Sequence, residues 1–394
     1  MENPNLQQRK RIKKNIEWYL ALLAIFILII VYYSGKSRKQ IFYAHYIQSF
    51  YDTTDFNIQP IKTGVYKLTP ETNGDTSFIS GGAGNGYAGK VKILVHYKNN
   101  NAIKKIHIIE SSETHSYFQK VLRNDFIQKF NNKKISELLT GNNTIDAVTG
   151  ATETSSAITQ AIKQSALKLG EARDIKIQTK TSAKKALVGL KEVLILVMFT
   201  LGILARLPHF KYKNQLNWLT LIVGMVFLGF VLNQPITLTR INSFLLGYWP
   251  DWQNELYIYL LVVGTFIILL TSGKNIYCSS ICPFGATQKI LGKLGNAKSI
   301  NPANKYFWVW AQRSLAWIAI FLALMYRNPT ISNYEVYSGL FQFTATTYLF
   351  ALLALTIVLS VFIRRPWCNY LCPLKPIFEL MQLFKQKIHT LWTK

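Results

Sequence analysis

The chain has 394 residues, 49% of them aliphatic or aromatic against 16% charged, with a mean hydropathy of +0.13 and a formal net charge of +26. These proportions exclude a disordered chain and an ordinary secreted domain, and they direct attention to membrane spans. The basic excess lies on a chain rich in long apolar runs, where a cytoplasmic-face bias produces it without any nucleic-acid partner.

Residues 16–34 read IEWYLALLAIFILIIVYYS, with Trp18, Tyr32 and Tyr33 toward the ends, where interfacial aromatics belong. The run is long enough to span a hydrocarbon core of about 30 Å. Arg9, Lys10, Arg11, Lys13 and Lys14 precede it, as in a signal peptide, but it is too long and lacks a small-x-small cleavage site. Residues 1–35 are therefore expected to form a cytoplasmic basic arm and a retained anchor.

Residues 36–185 are polar and rich in Asn, Thr, Ser and Gly, and their 22 basic and 12 acidic residues read as a solvated surface. Strand-like stretches Val91 to Tyr97 and Ala102 to Glu110 flank the turn-rich KNNN at 98–101, which predicts a hairpin. Helical patterns follow from Ser116 to Phe130 and after Thr152, the second with Ala157, Ile158, Ala161, Ile162, Ala166 and Leu167 at helical spacing. An α+β domain with its core at about 60–170 is expected.

Further apolar runs at about 186–205, 215–233, 255–272, 306–326 and 345–363 make residues 186–394 a five-span membrane domain, six spans in all. With the N-terminus in the cytoplasm, 19 basic residues fall on that side against only Arg240 and Arg327 in the two short outer loops. The positive-inside rule then puts both termini in the cytoplasm and 36–185 outside. Arg313, within the fifth span, must either snorkel or face an anion. None of the six histidines falls inside a span, so paired haem ligands are not expected, and no Walker loop, Rossmann fingerprint or hydrolase triad pattern is present.

All four cysteines lie in two copies of one motif, Cys278-Ser-Ser-Ile-Cys282-Pro283 and Cys368-Asn-Tyr-Leu-Cys372-Pro373, each at the cytoplasmic end of an in-out-in hairpin. A reducing compartment argues against disulfides. Four soft thiolates complete one iron–sulfur cubane or one zinc site; zinc usually staples domains without a core, which a membrane hairpin does not need. Residues 146–152 read Asp-Ala-Val-Thr-Gly-Ala-Thr before the second helical pattern. Small Gly150 and Ala151 ahead of a helix N-terminus suit a phosphate, and Thr152 or Thr154 suits an ordinary N-cap equally well.

CSSICPFGATQKILGKLG resembles the C-x3-C-P-x-G-A-x-Q stretch of NosR/NirI-type and NapH-type membrane iron–sulfur proteins, and WCNYLCPLKP resembles their second copy, with Leu374-Lys375-Pro376 in place of Gly-Ala. The sequence ends soon after Cys372, without the ferredoxin-like tail common in that family. The heptapeptide is similar to the D-x-x-S/T-G-A-T motif of the FMN-binding domain of NosR, RnfG and NqrC proteins. That resemblance implies FMN carried on Thr152 through a phosphoester, with Asp146, Thr149, Gly150 and Ala151 as the recognition motif. It also implies an entry loop at Gly86, Tyr87 and Gly89, and contacts from Glu113 and Thr114, where His115 replaces the family's proline.

The resulting expectation is a polytopic α-helical protein of the bacterial inner membrane, six spans with an extracytoplasmic α+β FMN-binding domain. It carries a [4Fe–4S] cluster on Cys278, Cys282, Cys368 and Cys372 and covalent FMN on Thr152. Expected partners are the membrane, an ApbE-type flavin transferase, a cytoplasmic electron donor and an extracytoplasmic acceptor. The expected function is transmembrane electron transfer, with a redox-sensing regulatory or maturation role as the alternative. If the two cofactors stay on opposite sides of a core about 30 Å thick, direct tunnelling between them is too slow, and something must close the gap.

Overall fold

The computed structural model describes residues 4–38, 43–51, 56–71, 75–113, 115–140, 145–149, 151–175, 188–207, 211–250, 252, 255–300, 304–331, 333–343 and 345–392. Helix α1 (Pro4–Arg38) carries the basic arm and the first apolar run without a break, and α2 (Tyr43–Phe50) follows. The sheet is an antiparallel meander of β1 (Phe56–Lys62), β2 (Val65–Pro70), β3 (Ser77–Asn85), β4 (Lys90–Tyr97) and β5 (Ile103–Ser111) in sequential order. The expected hairpin is β4–β5, turned by Asn101 in the left-handed region at φ 64°.

Strand β3 is buried on both faces. On one side Ile47 of α2 packs with Leu68, Ile79 and Leu94. On the other lies α5 (Thr152–Ala172), whose Ala157 and Ala161 approach so closely that a Cβ on Gly84 or Gly82 would fall 1.9 Å from their carbonyl oxygens. Small residues on both elements are what allow this contact. The run from Ser116 to Phe130 is not one helix. Helix α3 (His115–Arg123) stops where Asn124 Nδ2 donates to the Lys120 carbonyl at 2.7 Å and Asp125 turns to φ 49°; α4 (Ile135–Thr140) comes later.

The remaining apolar runs fall on α6 (Leu190–Leu204), α7 (Lys213–Gly224) with a π-helical continuation Met225–Val231, α9 (Leu256–Ser272), α11 (Lys305–Tyr326) and α13 (Thr347–Phe362). Among the described residues three helices are long and apolar enough to cross a membrane: Asn15–Lys36, Lys213–Val231 and Lys305–Tyr326; α9 and α13 are shorter apolar helices. These helices leave Leu196, Leu219, Ile267, Ile318 and Leu355 exposed, the pattern of surfaces meant for lipid. Helix α8 (Leu238–Leu245) lies between α7 and α9, and α12 (Tyr337–Gln342) between α11 and α13.

The cysteine motifs form matching corners. The π-helical turn Tyr277–Ile281 leads into α10 (Pro283–Leu294), and α14 (Pro366–Tyr370) leads to α15 (Leu374–Trp392). Arg313 on α11 meets Glu17 of α1 at 3.8 Å and Glu379 of α15 at 3.3 Å, so the anions it faces are carboxylates.

Candidate redox site

The loop Gly86-Tyr87-Ala88-Gly89 closes when Gly86 N donates to the Gly89 carbonyl at 2.8 Å. Beneath it, the buried Glu113 carboxylate accepts from Ala88 N at 3.1 Å and Gly89 N at 3.3 Å through one oxygen, and from the Thr154 hydroxyl at 2.6 Å through the other. One side chain thus ties the loop to the first turn of α5. A Cβ at Gly86 would sit 2.3 Å from Glu113 Oε1, so any larger residue there would push the Glu113 carboxylate out of its present place. Burial pushes the Glu113 carboxyl up to about 7, against the pull of its hydrogen bonds from Thr154 and Ala88.

Thr152 opens α5 with its side chain exposed. Ala151 stands at the N-cap without a side-chain hydrogen bond, so among the described residues no side chain caps the first N–H groups of this 21-residue helix, a donor set that fits a phosphate. Ser155 Oγ accepts from Val148 N at 3.1 Å and anchors the segment leading in, on which Asp146 and Thr149 are exposed. Gly86, Tyr87, Gly89 and Glu113 therefore converge on this helix start; Gly150 and Thr114 lie outside the described residues.

The next residue, Glu153, points into the connection between α7 and α9. It accepts from Arg240 of α8 at 3.2 Å and from Gln234. The Arg240 guanidinium also lies over the Tyr87 ring at 4.4 Å and donates to Gln234 at 2.7 Å. Burial works most strongly against the charge on Arg240, and only the combined pull of Glu153, Tyr87, Glu255 and Tyr257 raises its pKa. Ser243 Oγ donates to the Ala88 carbonyl at 2.5 Å, and Thr330 Oγ1 reaches the Ser112 carbonyl at 3.4 Å. The α+β domain is thus docked on two connections of the helical part through side chains the sequence reading did not select. Arg240 stood out there only as an exception to the charge bias.

At the cysteine corners, Cys282 and Cys372 precede the helices their prolines open. The Cys282 sulfur receives the N–H groups of Gly285 and Phe284, and the Cys372 sulfur that of Leu374. Helix N-termini carry partial positive charge and suit thiolates. Gln288 joins the two copies by donating to Cys368 Sγ at 3.3 Å and accepting from Trp367 N at 3.0 Å. Gln312, buried in α11, donates to the carbonyls of Cys372 at 2.9 Å and Cys368 at 3.4 Å. All four cysteines are free, Cys282 and Cys372 buried, Cys278 and Cys368 half-buried. Among the described residues no three His, Cys, Asp or Glu side chains are gathered closely enough for one metal ion. Zinc would need its thiolates at about 2.3 Å from a single centre, whereas a cubane spreads four ligands over its irons, so this donor set fits the cluster better.

Tyr337 connects the two regions. Its hydroxyl lies 3.6 Å from Cys372 Sγ, and its side chain lines a cavity of about 20 Å³, room for one water, shared with Tyr87, Tyr117, Thr237 and Glu335. Cys372 and Tyr337 belong to connections at opposite ends of α13. The α11–α13 connection therefore folds inward to the cysteines, as does the preceding one, where Ile236 N donates to the Tyr277 hydroxyl at 2.8 Å.

Residues 86–167 match the FMN-binding domain family, and residues 256–302 and 345–390 match the 4Fe-4S binding domain family. NirI of Paracoccus denitrificans is 26% identical over 196 residues, covering 46% of this chain and 28% of NirI. The regulatory protein NosR of Stutzerimonas stutzeri is 23% identical over 180 residues, 42% of this chain and 25% of NosR. A candidate electron transport protein of Escherichia coli, YccM, is 28% identical over 144 residues, 32% of this chain and 40% of YccM. The chain joins the two domain types and is similar to NirI and NosR, and it spans about a quarter of the length of those proteins.

Proposed function

We propose that this chain passes electrons across a bacterial inner membrane, from a [4Fe–4S] cluster held by Cys278, Cys282, Cys368 and Cys372 to FMN joined to Thr152, and onward to an extracytoplasmic acceptor. When bound, the cluster exchanges one electron at a time and FMN one or two. In this reading six helices span the bilayer, both termini are cytoplasmic, the α+β domain is outside, and an ApbE-type transferase attaches the flavin.

The observation that carries the reading is the reach of Tyr337 from the domain interface to Cys372 Sγ. It supports a path shorter than the bilayer is thick, because the cavity bordered by Tyr87 lies one side chain, Tyr337, from a proposed cluster ligand. Arg240 and Ser243 hold the domain against that cavity, the Tyr337 hydroxyl sits 3.6 Å from the Cys372 sulfur, and Gln288 and Gln312 fix the two ligand loops.

The test is photoreduction of purified holoprotein followed by flash absorbance. Oxidation of the cluster should coincide with bleaching of flavin, and Tyr337→Leu should slow that exchange with both cofactors retained. Two cofactors that never exchange electrons would overturn the proposal. The name of the NosR relatives favours a regulatory role as a second reading; sustained electron flux through purified protein separates the two.

A further inference from the structure

A cleft of about 460 Å³ opens beside the half-buried ligands Cys278 and Cys368, lined by Ser279 and Gln288, the latter bonded to Cys368 Sγ. Its charged lining is Arg206, Lys289, Lys293, Arg364 and Arg365, with no Asp or Glu among the lining residues. Lys289 and Lys293 lie over the Trp218 ring at 4.5 and 4.9 Å. Burial first, and then Arg365, Arg206 and Lys293 nearby, pull the Lys289 ammonium down to about 8.

We propose that this cleft is the docking site of an acidic one-electron carrier protein, from which the cluster is reduced. The inference rests on the cluster assignment above. Five cations around a concave surface attract a partner whose redox centre is ringed by carboxylates, and such complementarity acts chiefly on the rate of encounter. Because a cluster accepts single electrons, a hydride-donating nucleotide does not fit the same edge. The step is balanced: the carrier loses one electron, the cluster gains one, and no bond or proton moves. Entry beside Cys278 and Cys368 also leaves Cys372 and Tyr337 free to serve the other side.

The test uses full-length holoprotein in nanodiscs of phosphatidylcholine, with or without phosphatidylglycerol, mixed in stopped flow with chemically reduced plant-type [2Fe–2S] ferredoxin, an acidic carrier. Reduction of the cluster should slow at least tenfold between 20 and 500 mM salt, as expected when steering is electrostatic. Lys289→Glu with Lys293→Glu should slow it at least tenfold at low salt, while photoreduction by neutral deazaflavin stays unchanged. Equal ferredoxin rates in wild type and variant would overturn the proposal. Equal rates together with loss of retained phosphatidylglycerol by native mass spectrometry would assign the cleft to lipid headgroups instead. A protein that neither reagent reduces would count against the cluster assignment itself, a separate failure.

Discussion

Glu153 and Arg240, 87 positions apart in the chain, meet at 3.2 Å with the arginine almost wholly buried. Thr152 immediately precedes Glu153, so the ion pair fixes the proposed flavin attachment point against the α7–α9 connection. Breaking a buried pair from one side leaves an unpaired charge and costs about 3–5 kcal/mol. Arg240→Ala is expected to undock the α+β domain and to slow flavin–cluster exchange by more than tenfold, measured by flash absorbance. The exchanged pair Arg240→Glu with Glu153→Arg should recover part of the rate. An unchanged rate in Arg240→Ala would mean that docking does not depend on this contact.

The cluster assignment has a stoichiometric consequence. Anaerobically purified protein should contain about four iron and four sulfide per chain, and alanine at any one of Cys278, Cys282, Cys368 or Cys372 should bleach the visible absorption. Gln288→Ala, which removes the donor to Cys368 Sγ, should retain the cluster but lower its midpoint potential, since hydrogen bonds to cluster sulfurs favour the reduced state. Stoichiometric zinc without iron would end this assignment.

Glu113 gives a pH dependence of definite sign. Its carboxyl rises from the ordinary 4.5 to about 7 through burial, so between those values the folded state binds more protons than the unfolded one. Stability is therefore fully present at the acid end and falls as pH rises toward 7, by about 1–3 kcal/mol. Hydrogen exchange at the Ala88 and Gly89 amides, corrected for intrinsic rates, should report weaker protection at pH 8 than at pH 5. Glu113→Gln should flatten that dependence while keeping an acceptor for both amides.

What was legible in the sequence was whatever repeats or alternates locally. The β4–β5 hairpin, the start of α5 at Thr152 and the paired C-x3-C-P corners all follow from short-range pattern. The helix expected to Phe130 failed because Asn124 and Asp125 end it through a side-chain cap and a left-handed turn, which hydrophobic spacing does not register. Arg240, Ser243, Glu335 and Tyr337 were not selected because their partners lie far away in the chain. Tyr337, for instance, reads as one more aromatic in a loop until the α11–α13 connection folds back onto Cys372. Arg313 was read through its position in a span, and the helix packing that brings Glu17 and Glu379 to it has no sequence signature.

Covalent attachment of flavin is tested at the start of α5. With an ApbE-type transferase co-expressed, denatured protein should fluoresce in the gel, and Thr152→Ala should abolish the signal. Thr154 is buried and spends its hydroxyl on Glu113, so Thr154→Ala should keep the fluorescence and only loosen the loop. The reverse result, fluorescence kept in Thr152→Ala and lost in Thr154→Ala, would move the acceptor without removing the domain.

The direction of transfer depends on which side of the membrane each region occupies, and the 19-to-2 partition of basic residues sets the expectation. Asn100 lies exposed at the β4–β5 turn, and Lys298 lies exposed beyond α10. Single cysteines introduced at these positions should be distinguished by an impermeant maleimide on intact cells, which labels Asn100→Cys and spares Lys298→Cys until the membrane is opened. Lys385→Cys in α15 should behave like position 298. Cations at Arg206, Lys289, Lys293, Arg364 and Arg365 would then share the cytoplasm with the proposed acidic donor, while Thr152 would face the acceptor. Labelling of positions 100 and 298 from the same side would turn the transmembrane path through Tyr337 into a one-sided relay, since Tyr337 would then connect two regions with no bilayer between them.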